Sequence, residues 1–407
     1  MFSFFTMMSN LLAQNNTNSP YTRYGYGELI DVYSSEQRSM GGVGMAYRNS
    51  LAINPVNPAS YSVVDSVSFM FDLGLSGLVS RFSSPTQSSN AINSNLEYIS
   101  MQLPINKWLG VSAGVLPYSF SGYNFFKSDS IQINNHTSIP DKAYYTRSYA
   151  GSGGVNQVYT GFGMKLFNHI SLGMNLYYMF GNINNSRSIV FNNSSFNSST
   201  QINAISISSF RARYGLQAFH TFNKKHDVTL GLIFEGKAPL GGNFTQYNYG
   251  VPSDTINFTK DFEVPQTLGA GLFYTFDNKF SVGLDYSMQQ WGDALYFSRT
   301  DSLSNKSKLA LGLEYIPDAR GRRFYERVKY RAGINIHDPY YKLPGVSNVK
   351  NFGITFGVGL PLRTSNTMVN ASVEYGKSGD KSLFREDYFK FTLNAVFNEN
   401  WFFKRKL

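Results

Sequence analysis

V-S-F-M-F-D-L-G-L-S-G-L-V, from Val67 to Val79, reads in steps of two. Val67, Phe69, Phe71, Leu73, Leu75, Gly77 and Val79 form one apolar series. Ser68, Met70, Asp72, Gly74, Ser76 and Leu78 form a second that is mostly small or polar. Side chains along a strand point alternately to opposite faces, so this stretch predicts a strand with one greasy and one wet face. The pattern returns at Ile170–Phe180, Phe210–Ala218, Phe280–Met288, Tyr330–Ile336, Phe352–Leu360 and Phe389–Phe397. Extending it along the chain gives about fourteen strands. They start near Ser66, Ser94, Trp108, Gly154, Ile170, Ser206, Asp227, Gln266, Phe280, Ser307, Val328, Asn351, Met368 and Tyr388. The second has the weakest alternation, because Leu96 to Leu103 carries apolar residues at both parities.

The connections between these strands sort by length. Long ones follow the odd strands, as in Tyr118 to Gly153 and Asn184 to Ile205. Short ones follow the even strands, as in Pro104 to Lys107, Phe167 to His169, Asn223 to His226 and Asp277 to Lys279. Long loops on one rim and tight turns on the other, with an even strand count, mark an outer-membrane barrel. A soluble propeller or sandwich has no reason to segregate its loops in this way. Composition agrees: aromatic residues make up 16% of the chain and charged residues only 15%, against about 25% charged in soluble domains. No apolar run reaches the ~18 residues of a membrane helix. The expected fold is therefore all-β, a transmembrane antiparallel barrel spanning residues 66–407, in the outer membrane of a diderm bacterium. Lipid tolerates no open sheet edge, so the first strand must pair with the last. The last ends in Trp401, Phe402 and Phe403, aromatics suited to the membrane–water interface, followed by Lys404, Arg405 and Lys406.

Two segments precede the barrel. Residues 1–13, M-F-S-F-F-T-M-M-S-N-L-L-A, resemble the apolar part and cleavage site of a secretory signal that lacks its basic start. Residues 14–65 are polar and Gly-rich, without a membrane-length alternation. Pro55 and Pro58 each remove a ladder donor, so this stretch predicts a compact piece inside or beneath the barrel rather than a spanning strand.

Several function classes fall away. There are no cysteines, hence no disulfide scaffold, thiolate metal site or Cys nucleophile. The five histidines are scattered without metal-ligand spacing, and no Ser-His-Asp grouping can be argued, so neither a metal, a cofactor nor an enzyme activity is expected. The net charge of +10 is not gathered into a nucleic-acid module. G-G-V-G at Gly41 to Gly44 lacks the Lys-Ser/Thr of a P-loop and reads as tight packing. Strand parity turns Arg211, Arg213, Lys329 and Arg331 inward, on the face shared by Asp72, Glu235, Asp285 and Glu314. That face is either an ion-pair lattice holding the strands in register or a cationic site for an anionic headgroup such as a fatty-acid carboxylate.

The chain resembles the FadL-type family of outer-membrane channels. The likeness rests on Gly41, Gly42 and Gly44 followed by Asn57, Pro58 and Ala59, on Val264–Thr275 with Ser281–Trp291, and on Leu311–Pro317 with Val328–Ile334. It runs from about Tyr21 to the C-terminus, while Glu374–Lys377 and the C-terminal cluster look like a divergent subgroup. The resemblance implies a fourteen-stranded barrel with an N-terminal hatch, and passive uptake of long-chain fatty acids or other hydrophobic compounds. It also admits a second class: a non-transporting barrel that acts as a subunit or scaffold of an outer-membrane protein export or assembly machine. The implied partners are outer-membrane lipid, a hydrophobic ligand, and other outer-membrane proteins. Deleting Trp401–Leu407 is expected to leave the chain in the periplasm and degraded; immunoblots of membrane fractions check this, and a normal outer-membrane level shows the cluster to be dispensable.

Overall fold

The computed structural model describes residues 19–400, apart from 64–67, 86, 135–140, 194, 251–252, 344–348, 363–366, 381 and 383. The signal-like residues 1–13 and the cluster Trp401, Phe402 and Phe403 lie outside the described residues. Fourteen antiparallel strands form the wall: β1 (Ser68–Ser83), β2 (Ser88–Asn106), β3 (Leu109–Asn134), β4 (Asp141–Leu166), β5 (Ile170–Phe191), β6 (Ser199–Phe222), β7 (His226–Glu235), β8 (Thr267–Phe276), β9 (Phe280–Gln289), β10 (Lys306–Tyr315), β11 (Lys329–His337), β12 (Asn351–Pro361), β13 (Met368–Asp380) and β14 (Phe384–Asn400). Each pairs with its chain neighbours, and β14 closes on β1 from Arg385↔Ser83 to Asn400↔Ser68. The outer face carries rows of exposed apolar side chains, among them Leu75, Phe210, Leu230, Leu232, Phe356 and Leu393. Such a continuous apolar surface suits lipid rather than water.

Four starts, at Ile170, Phe280, Asn351 and Met368, coincide with the sequence reading, and most others fall close by. The stretches read as long loops, Tyr118–Gly153 and Asn184–Ile205, are instead largely strand. β3 and β4 run for 26 residues each, β5 for 22 and β6 for 24, whereas a tilted strand needs about 9–11 to cross a bilayer. Beyond the apolar band the outer face meets no lipid, so the apolar alternation stops although the ladder continues. Hydroxyl pairs replace it, as at Ser128–Thr146 (3.3 Å) and Ser188–Thr200 (2.9 Å). A hairpin, Phe244–Tyr249 with Asp254–Phe258, extends this sheet by pairing with β6. The weak alternation in β2 also has a cause. A register shift opposite Gly74/Leu75 passes over Glu97, so Glu97 and Tyr98 are both buried.

Residues 19–63 contain little regular structure: a short helix, α1 (Ser35–Ser39), two 3-10 turns, and a two-residue strand, Glu28–Leu29, that pairs with β3. Yet each of the four buried apolar clusters joins this segment to the wall. Tyr26 packs with Val155, Met179 and Trp291; Ile53 and Tyr61 with Tyr159 and Tyr177; Met40 and Val43 with Phe273; Met45 and Val56 with Ile233. The contact is close enough to require glycine in the wall. A Cβ at Gly173 would stand 2.3 Å from the carbonyl carbon of Pro58, and one at Gly333 would stand 2.3 Å from the amide nitrogen of Gly41. These glycines pair across the sheet with others, Gly163↔Gly173↔Gly215 on one side and Gly283↔Gly312↔Gly333 on the other. Gly173→Ala and Gly333→Ala are expected to lower barrel stability by roughly 1–3 kcal/mol through overpacking. Gly77→Ala, where a Cβ would meet nothing within 4 Å, should be neutral. The temperature at which heat-modifiable gel mobility is lost reads the difference.

Candidate functional site

The inward-facing charges and residues 19–63 build the interior together. The two Asn-Pro steps of Asn54–Ser60 staple the glycine turn. Asn54 Nδ2 donates to the carbonyls of Gly44 (2.7 Å) and Tyr47 (2.8 Å). Asn57 Nδ2 donates to Met45 O at 2.7 Å and reaches the wall at Leu216 O (3.2 Å) and Leu232 O (3.3 Å). Gly41, Gly42 and Gly44 are thus brought beside Asn57, Pro58 and Ala59. Gly41 and Gly42 adopt φ of 69° and 89°, the left-handed region that glycine enters without a Cβ penalty. The amides of Gly44 and Met45 both donate to Asp285 Oδ2, at 2.7 and 2.8 Å.

Of the four cations that parity turns inward, Arg211, Arg213 and Arg331 are buried and Lys329 is half-buried. Arg211 and Arg213 both donate to Glu235. Arg211 also donates to Gln157 at 2.9 Å and lies over the Tyr177 ring, while Arg213 donates to Val56 O at 3.2 Å. Arg331 donates to Glu314 (2.7 Å) and Asn370 (2.7 Å), and its Nη2 lies 3.2 Å from Glu36 Oε1. Lys329 is half-buried and makes no salt bridge among the described residues. Asp72 accepts from Asn394 at 2.7 Å rather than from a cation.

Residues 19–63 supply partners that the sequence reading missed. Asp31 accepts from Lys308 at 2.6 Å, with Lys306 at 3.9 Å. Arg38 donates to Glu97 at 2.5 Å, and Lys390 lies 2.6 Å from the same carboxylate. Burial pushes the Asp31 carboxyl up, but Lys308 and Lys306 outweigh it and hold the group well below the usual carboxylate range. Burial acts likewise on Glu36, where Arg331 and Lys329 prevail and lower it. Lys306 and Lys308 share the parity of Glu314, so a signal for them existed. Asp31, Glu36 and Arg38 lie where no periodicity tells inside from outside.

Between this segment and the wall formed by β10–β14 and β1–β3 lies a cavity of about 180 Å³. Its walls include Asp31, Arg38, Lys308, Glu374, Glu386 and Lys390, charges of both signs. At ~30 Å³ per water it holds a handful of waters, and it falls short of the ~300–1,000 Å³ of typical small-molecule pockets. Among the described residues, no group of three or more His, Asp or Glu side chains is placed to hold a metal.

A family model described as BamG matches residues 1–407. The chain belongs to the BamG family. No curated protein matches this BamG-family chain. Among solved structures it is similar to the toluene transporter TodX of P. putida, with a TM-score of 0.57 and 14% identity over 91% of this chain and 99% of that one. It is also similar to the monoaromatic hydrocarbon channel CymD (TM-score 0.58, 13% identity, 93% and 99% covered). A third similar structure is a FadL homologue from Pseudomonas aeruginosa (TM-score 0.59, 10% identity, 91% and 99% covered). At such identities the likeness establishes the fold alone, a FadL-like barrel.

Removing one member of a buried ion pair strands the other. Arg331→Ala and Glu235→Gln are each expected to cost about 3–5 kcal/mol, read as a fall in the urea midpoint of refolded barrel. Lys329→Ala should change it little. Equal effects from all three substitutions would contradict the division described above.

Proposed function

We propose that this BamG-family chain is a sealed outer-membrane barrel that conducts no ligand and serves as a subunit or scaffold of an outer-membrane protein export or assembly machine. Residues 1–13 act as the secretory signal, and residues 14–65 as a permanent hatch. The observation that carries the reading is the seating of Met40–Met45 and Asn57–Ala59 directly on wall glycines on opposite sides of the barrel. A passage along the wall would require this packed backbone to withdraw, breaking the bonds to Asp285, Leu216 and Leu232. The inward cations favour the same reading. Arg211, Arg213 and Arg331 are engaged by Glu235, Glu314 and Glu36, as an internal lattice requires, and the cavity beside the segment is small and sets charges of both signs among its apolar walls, a poor bed for an acyl tail. Membership in the BamG family is compatible with a role beside other outer-membrane proteins.

Uptake of a hydrophobic compound is the competing reading, supported by the likeness to hydrocarbon channels. One preparation separates the two. The protein is extracted in mild detergent, its companions are identified, and the isolated barrel is placed in liposomes with a fluorescent fatty acid. A stoichiometric protein companion and uptake no faster than in empty liposomes are expected. Uptake that Arg211→Ala slows by about tenfold, the size expected for losing a charge-assisted bond to a carboxylate, would sink the scaffold reading.

A further inference from the structure

Among the connections of the short-turn rim that the described residues cover in full, one is unlike the rest. Residues 107–108, 167–169, 223–225 and 277–279 are tight turns, but β10 and β11 are joined by residues 316–328, I-P-D-A-R-G-R-R-F-Y-E-R-V. This loop is built. Asp318 Oδ1 accepts from the amide of Arg320 at 3.0 Å, Glu326 Oε2 from the amide of Arg323 at 3.0 Å, and Glu326 O from the amide of Asp318 at 2.8 Å. Its two carboxylates thus cap backbone, and Arg320, Arg322, Arg323 and Arg327 make no salt bridge among the described residues. Phe324 and Tyr325 beside them are 53% and 52% exposed.

Directly beside the loop, the outer wall of β9–β14 is hollow. Ala332 and Ala371 lie between the larger Phe356, Phe391, Tyr315 and Tyr330, leaving an apolar concavity of about 720 Å³ open to the outside. Tyr315 and Tyr330 flank the loop in sequence, and the Tyr330 hydroxyl donates to Tyr325 O at 3.3 Å, so the hollow and the arginines adjoin. A cavity of about 150 Å³ holds a benzene ring, so this one has room for an acyl chain.

We propose that the loop 316–328 and the hollow together form a site for one anionic phospholipid of the adjoining leaflet. The guanidinium forks take the phosphate, and an acyl chain fills the hollow. An acidic protein surface would answer the arginines but leave the hollow empty, whereas a phospholipid accounts for both. The exposed aromatics sit where interfacial rings belong. The inference rests on the wall lying in a membrane and not on any partner protein.

Isolated barrel, stripped by detergent exchange, is titrated with phosphatidylglycerol or phosphatidylcholine, and bound lipid is counted by native mass spectrometry. One phosphatidylglycerol per chain is expected, held about tenfold more tightly than phosphatidylcholine. The triple variant Arg320→Gln, Arg322→Gln, Arg323→Gln should lose that preference. Ala332→Phe with Ala371→Phe should weaken both lipids. Heat-modifiable mobility matching the parent establishes that each variant is folded, and Arg323→Gln alone, at an exposed site, serves if the triple variant is not. Equal binding of the two lipids by the parent, or phosphatidylglycerol retained in full by the folded arginine variant, overturns the proposal. Either result leaves the scaffold reading untouched.

Discussion

A closed sheet of fourteen strands encloses more space than its own side chains can fill. Barrels of about eight strands pack their interiors with wall residues alone, and those of 16–18 leave a water-filled channel. Between these limits the interior must be furnished from elsewhere in the chain, and here residues 19–63 furnish it. The four apolar clusters, the glycine ladders and the ion pairs of Asp31, Glu36 and Arg38 are consequences of seating that segment. It needs almost no regular structure, because its backbone amides find partners in Asp285 and Thr355, and the Asn57 side chain donates to carbonyls of β6 and β7.

Charge inside the barrel follows the same logic. A buried cation without a partner is costly, so each of the three deeply buried arginines of the wall meets carboxylate. Some partners come from a neighbouring strand, as Glu235 does for Arg213 and Glu314 for Arg331. Others come from the N-terminal segment, as Glu36 does for Arg331 and Asp31 for Lys308. The lattice therefore ties segment to wall as well as strand to strand. Arg320, Arg322, Arg323 and Arg327, which make no salt bridge among the described residues, lie at the short-turn rim, where water and headgroups are at hand.

Much of the wall was legible from the chain. Alternation at Ile170–Phe180, Phe280–Met288 and Phe352–Leu360 located strands because lipid on one side and a polar interior on the other impose opposite chemistry on successive residues. Where that contrast ends, so does legibility. Ser199–Ile205 and Asp141–Gly153 continue the ladder above the apolar band, where both faces are polar or mixed, and they read as loops. The bulge at Glu97 blurred the parity of β2, since one extra residue turns two successive side chains to the same face.

By itself, then, the sequence determined a closed antiparallel barrel of about fourteen strands, and it raised the expectation of inward-facing Arg211, Arg213, Lys329 and Arg331 and of an N-terminal piece marked by its glycines and Asn-Pro steps. Those features rest on local rules: side chains alternate, proline removes a donor, glycine permits close approach. Only the tertiary structure decided that Arg331 meets Glu36 from far along the chain, that Lys329 is left outside the lattice, and that Gly173 and Gly333 face Pro58 and Gly41. The physical reason is that pairing inside a barrel depends on curvature and on how an aperiodic segment settles against it, and neither leaves a periodic trace along the chain.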